Sequence, residues 1–245
     1  MKSLKIAKYE FFDALNSIKA YYAILIAIFV SITLLAGTND GEIKSSGIEF
    51  STIIFIFIAG LNSFKNSFKF TQGNNISRKT FFQGLMISTL PTAALMAVAD
   101  VILNRIYNLV VFCPTIYDML YSKGFGVYYW SQSNSFGTLL GTVMFLVFLY
   151  AMAFNLGVLI NLIYYRSNTV LKVIISAAPF ALMTLLVNFH NLLPQEFFNS
   201  VGKFLFNAFG LNNNNAYAAC VSFFVIAALF SGGIYLLMRR AVVKD

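Results

Sequence analysis

Charge is scarce in this sequence. Of 245 residues, 11% are Asp, Glu, Lys or Arg, where a soluble domain carries about 25%. Histidine occurs once, at His190, and cysteine twice, at Cys113 and Cys220. Each shortage removes a class of function. A zinc site needs several His, Cys or carboxylate ligands at close spacing, and none gather around His190. The cysteines are far apart and lack CxxC spacing, so they read as small apolar residues, with a disulfide open only if both face outward. No GxxxxGK[ST] stretch is present to cradle nucleotide phosphates. Ser231 lies in FSGG, which does not match the exposed-serine turn of an intramembrane protease. Intramembrane aspartyl chemistry needs two carboxylates at similar depth, and the apolar runs offer essentially Asp100 alone. His190 reads as an interfacial polar residue rather than a catalytic base. No enzyme is expected, and no metal or other cofactor on this chain. The formal charge of +8 comes from short clusters of cations, without an extended basic face or stacking aromatics, so nucleic acid is not an expected partner.

What the chain has in abundance is apolar sequence: 59% of its residues are hydrophobic. About 20 such residues in a row cross about 30 Å of hydrocarbon as a helix. Six runs qualify: 20–37, 48–64, 81–103, 136–163, 170–190 and 216–238. The fold class is therefore an all-α integral membrane protein of about six transmembrane helices, with the lipid bilayer as its solvent. Pro91 removes one backbone hydrogen bond from the third run and predicts a kink there. Residues 1–19 precede the runs as a separate unit. Leu4, Ala7, Phe11, Leu15 and Ile18 form one stripe at 100° per residue, with Lys2, Lys5, Tyr9, Asp13 and Asn16 opposite. That pattern predicts an amphipathic helix lying in the headgroup region. It does not read as a cleavable signal, because no small-x-small site follows a short apolar core. The division is thus an amphipathic helix, 1–19, and a six-span domain, 20–245.

Cations set the expected orientation, since Lys and Arg collect in cytoplasmic segments near span ends. Numbering the segments alternately, the set with both termini holds 13 of them and the other set holds four: Lys44, Arg105, Lys123 and Lys203. Both termini are expected inside. On the outer side, residues 104–135 carry Tyr107, Tyr117, Tyr121, Tyr128, Tyr129 and Trp130 and are expected to lie against the outer leaflet. Residues 194–210 run from Pro194 to Gly210 with a Phe197, Val201, Phe204, Leu205, Ala208 stripe. They are too short to span and fit an interfacial or re-entrant helix. The asparagine run Asn212–Asn215 after them reads as a turn.

Polar residues at membrane depth are costly and often functional. Asp100 and Asn104 lie one helical turn apart beside Arg105. They read either as a satisfied cluster capping the third helix or as the rim of a path for a translocated molecule. Asn155 and Asn161, with Gly157 between them, read as glue between helices. Asn188 is ambiguous. These five are the candidate substrate-path residues.

The inward loop 65–80 is the most shaped polar segment. Phe64, Lys65, Phe68 and Lys69 continue the second span as a helix. QGNN supplies a turn whose Gly and Asn tolerate left-handed backbone, and Ser77 can cap the helix that follows. An anchor for the positive-inside rule would need the charges alone; the turn and cap would be superfluous. The result is a corner presenting Arg78 and Lys79.

With an N-terminal amphipathic helix, six spans, a helical corner between spans two and three and a short helix between spans five and six, the chain resembles the permease subunit of ABC-2-type transporters, the type V exporter fold. The stretch GNNISRKTFFQG is similar to the segment by which small Gram-positive members enter their third span. The 104–135 segment departs from it, being longer and more aromatic than a simple outer loop. The resemblance implies a bacterial cell-membrane exporter subunit, with ATP and Mg bound by separate cytoplasmic ABC ATPase subunits. It implies a second permease copy or paralogue, and a peptide or amphipathic toxin as the favoured substrate. It makes Phe70, Gln72, Asn74, Asn75, Ser77, Arg78 and Lys79 the ATPase-coupling residues. The alternative is a passive channel or a membrane binding subunit without an ATPase.

Overall fold

The computed structural model describes residues 2–36, 47–122, 132–189 and 195–241. Most of the 38–47 loop, the aromatic residues Tyr128, Tyr129 and Trp130, and His190 fall outside them. The described chain is all-α: α1 (Lys2–Ala36), α2 (Ile48–Ser63), α3 (Lys65–Gly73), α4 (Arg78–Tyr107), α5 (Ile116–Tyr121), α6 (Phe136–Arg166), α7 (Thr169–Phe189), α8 (Gln195–Ala208) and α9 (Ala216–Arg239). Among the described residues, five stretches are long and apolar enough to cross a bilayer: α1, α2 running on through α3, α4, α6 and α9. α7 coincides with the fifth expected span, but its described apolar stretch, Thr169–Ala178, is shorter than those five. Val170, Val173, Ile174 and Phe180 of α7 are exposed.

The first departure from expectation is at the N-terminus. The amphipathic segment and the first span are not two elements meeting at an angle but one helix of 35 residues, about 52 Å long at 1.5 Å per residue. No Gly or Pro interrupts residues 2–36, so nothing ends the hydrogen-bond ladder between them. Its charges are confined to residues 2–19 and its uncharged apolar stretch begins at Ala20. The buried face is also rotated from the expected stripe. Ile6, Ala7, Glu10 and Ile18 are buried, whereas Leu4 is 61% exposed. The cause is a close approach to α4: a Cβ added at Gly84 would come within 2.6 Å of the Ile6 side chain.

α6 is the central helix, with α2, α4 and α9 packed around it. Two glycines bring α2 and α6 to backbone contact. A Cβ at Gly60 would sit 2.3 Å from the Phe154 carbonyl oxygen, and one at Gly157 would sit 2.2 Å from that of Phe57. Small residues at a crossing let apolar helices gain dispersion contacts where lipid offers no hydrophobic driving force. α4 continues as helix through Pro91.

Two short segments meet at the far end of the bundle. In residues 108–122, Cys113, Thr115 and Asp118 are buried at 0–1% exposure, while Leu109 and Val110 are exposed. Thr115 and Asp118 form a reciprocal capping box that starts α5, and Tyr117 and Tyr121 pack edge-on against Phe145 of α6. The Tyr121 hydroxyl donates to the Phe209 carbonyl at 2.7 Å. That ties this segment to the end of α8, whose expected stripe is exposed at Phe197, Val201, Phe204 and Leu205. After α8, Gly210 takes a left-handed φ of 65° and Asn214 one of 50°, so the asparagine run is a turn.

Candidate functional site

Three polar regions are distributed along the bundle. At one end the structure gathers the N-terminal part of α1, the α3–α4 corner and the C-termini of α6 and α9. This is the basic end. Its base is aromatic packing: Phe64, Phe68 and Phe81 are fully buried, Phe81 packs tilted against the other two, and Tyr165 of α6 meets Phe64 and Phe68 edge-on, with centroids 5.3 and 6.2 Å away. On this base, the corner has the local structure its sequence predicts. α3 ends at Gly73, and Asn75 adopts φ 55°. Gln72 donates its side-chain amide to the Ile76 carbonyl at 2.9 Å and Asn74 to that of Phe70 at 2.8 Å. Ser77 accepts from the Thr80 backbone N–H at 3.2 Å as the N-cap of α4.

The corner's residues divide by exposure. Phe70, Asn74, Asn75, Ser77 and Lys79 face outward, while Gln72 and Arg78 are half-buried. Arg78 is not a free cation on the corner. Its guanidinium donates to the Arg239 carbonyl at 2.9 Å, satisfying a carbonyl at the end of α9 that the helix leaves unbonded. Arg166 reaches the Leu237 carbonyl in the same turn, at 3.4 Å. On the other flank Tyr9 of α1 stacks on Phe70, with centroids 5.4 Å apart. Thus α1, α4 and α9 all bear on this corner.

The second region lies at the far end. Asp100 is 1% exposed and Asn104 is fully buried. Asp100 accepts from Tyr22 at 2.9 Å and from Tyr150. Asn104 donates to the Cys113 carbonyl at 2.9 Å and accepts from Gln132 at 3.0 Å. Gln132 also donates to Asp118, which lies 3.8 Å from the Arg105 guanidinium. Both residues are enclosed by their hydrogen-bond partners within the described chain. The structure corrects the expected inventory of buried carboxylates. Glu49, in the first turn of α2, is 1% exposed and interacts electrostatically with Asp100. The backbone N–H groups of Glu49 itself and of Ile116 are the donors nearest its carboxylate. Asn155 donates to Ser231 of α9 at 3.3 Å, a helix-to-helix link, while Asn161 is half-buried in α6. The Asn188 side chain falls outside the described ones.

The third region is a cavity of about 250 Å³ between α1, α2, α4 and α6. Phe55, Ile56, Ala59, Met96 and Phe154 make its apolar wall; Glu10, Asp13, Ser63, Ser88 and Thr92 make its polar one. Glu10 is 7% exposed, and its Oε1 has no hydrogen-bond partner. The Ser67 hydroxyl hydrogen-bonds its carboxyl, and Asp13 lies one turn away on the same helix. Sequence reading missed Glu10. The available signal was its position: it sits four residues after Ile6 and four before Ala14, on the arc that packs.

Among the described residues no three His, Cys, Asp or Glu side chains group as a metal site. No protein family, curated protein or solved structure matches the chain.

Proposed function

We propose that the chain is the membrane-embedded permease subunit of an ATP-driven exporter of the ABC-2 type. It would move a hydrophobic or amphipathic substrate, a peptide or toxin-like molecule being favoured, with energy from separate cytoplasmic ATPase subunits and beside a second permease copy or paralogue. The observation that carries this reading is the buttressed corner at residues 70–79. Its outward side chains, Phe70, Asn74, Asn75, Ser77 and Lys79, offer a partner a mixed apolar and basic surface. Behind it, Tyr9 stacking and the Arg78 link to α9 couple a push on that surface to three long helices at once. A loop serving only as a charge anchor needs neither contact.

On this reading the basic end is cytoplasmic in a bacterial cell membrane, α7 is the fifth of six spans and α8 a re-entrant or interfacial helix. The exposed apolar side chains of both helices suit lipid or a second permease. The second reading is a binding subunit without an ATPase, favoured by the acidic cavity near the basic end. Co-purification with a candidate ATPase and measurement of ATP hydrolysis separate the two. The expected result is stimulation by the wild-type chain, lost in Lys79→Glu and Phe70→Ala while the helical circular dichroism stays unchanged. Stimulation unaffected by both variants overturns the corner assignment, and substrate flux without ATP selects the second reading.

A further inference from the structure

The cavity beside Glu10 has a chemistry that the exporter reading does not use. Its two ends differ. Phe55, Ile56, Met96 and Phe154 offer a surface for an alkyl or aromatic group. Glu10 and Asp13, one helical turn apart on α1, offer carboxylates. Glu10 is more than nine-tenths buried and keeps one oxygen unpartnered. A buried carboxylate without a partner is costly unless something neutralises it, and the groups acting on Glu10 include no cation. The remaining polar wall comes from the hydroxyls of Ser17, Ser63, Ser88 and Thr92 and the amide of Asn62, which can accept from an ammonium group but carry no charge. Asp13, Ser17, Ile58 and Asn62 at the mouth are exposed, so the cavity opens between α1 and α2.

We infer that this cavity is a binding site for a cationic amphiphile: an ammonium group held by Glu10 and Asp13, with its apolar part against Phe55, Met96 and Phe154. Both halves are required. A metal cation would gain nothing from the apolar wall, and a neutral lipid chain would leave Glu10 unpaired. The inference stands without the exporter reading, because binding requires no ATPase.

The charge state of Glu10 supplies an internal check. Its neighbours are Ser67 from α3 and Asp13 from its own helix; α2 and α4 contribute only uncharged groups to the cavity. An alkylammonium stays protonated near neutral pH, as a lysine does. Binding must therefore strengthen as pH rises and Glu10 ionises, by about tenfold between pH 6 and pH 8.

The test is titration calorimetry of n-octylammonium chloride into the purified full chain in nonionic detergent, with n-octanol as the uncharged counterpart. Saturable binding of octylammonium is expected, weakened about tenfold or more by Glu10→Gln at pH 8 and less by Asp13→Asn. Octanol is expected to distinguish none of these proteins. Equal octylammonium affinity for wild type and Glu10→Gln, or octanol binding as tightly as octylammonium, overturns the site. If Glu10→Gln does not fold, the wild-type pH series decides: a flat affinity from pH 6 to pH 8 overturns it as well.

Discussion

Glu10 is a buried carboxylate with one oxygen unpartnered. Glu10→Gln removes the charge that burial penalises and is expected to raise the melting temperature at pH 8; a variant equally stable or less stable there contradicts the burial of this carboxylate. Asp100 shows the opposite situation, a buried carboxylate whose partners are in place. Asp100→Ala leaves the Tyr150 hydroxyl without its acceptor, at a cost of about 1–3 kcal/mol, while Tyr22 keeps the Met96 carbonyl at 3.0 Å. Denaturation of Asp100→Ala beside Asp100→Asn, which keeps an acceptor oxygen, measures that difference. Sequence composition singled out Asp100, because an acid inside an apolar run is conspicuous. It could not single out Glu10 or Glu49, which sit among other polar residues at segment ends. Whether such a residue is solvated or buried depends on which helix covers it.

At the scale of elements, the helices are held by local rules that were readable. Ser77 caps α4 through the Thr80 N–H, so Ser77→Ala is expected to cost about 1 kcal/mol and to increase hydrogen exchange in the first turn of α4 alone. The α2–α6 crossing depends on absent side chains. Gly157→Leu places atoms where the Phe57 carbonyl lies 2.2 Å from a Cβ, and the helices must separate. A loss of about 1–3 kcal/mol or more is expected from such overpacking, seen as a lower melting temperature than that of Gly232→Leu. Gly232 has no heavy atom within 4 Å of its added Cβ and is the matched control. The N-terminal helix shows where local rules stop. Its amphipathic pattern was legible, but a pattern specifies a face, not a direction in space. Without a breaker between Lys19 and Ala20 the helix continues, and contact with Gly84 of α4 selects Ile6 and Glu10 over Leu4 for burial.

For the whole molecule, the basic end behaves as one assembly in which α1, the α3–α4 corner, α6 and α9 meet. Arg78 and Lys79 are adjacent in sequence but differ in role. Arg78→Ala removes a bond to the α9 terminus and is expected to loosen α9, read as faster hydrogen exchange at Met238–Arg240. Lys79→Ala, altering an exposed side chain, is expected to leave that exchange unchanged. If both variants or neither loosened α9, the distinction between an internal clamp and an outward surface would fail.

Sequence alone determined that this chain is helical and apolar enough for a bilayer, and where the turn at 73–76 and the Ser77 cap fall. These properties follow from hydrophobic run length and backbone-permissive residues, both of which act within about 20 neighbouring residues. Tertiary structure decided which partners enclose Asp100 and Asn104, that Arg78 bonds the end of α9, and that Cys113, Thr115 and Asp118 are buried. It also decided that Glu10 borders a cavity. Each of these depends on what a residue meets from a helix dozens of positions away. Burial is a property of that meeting, set by glycine approaches and aromatic packing between helices, and periodicity within one helix does not contain it.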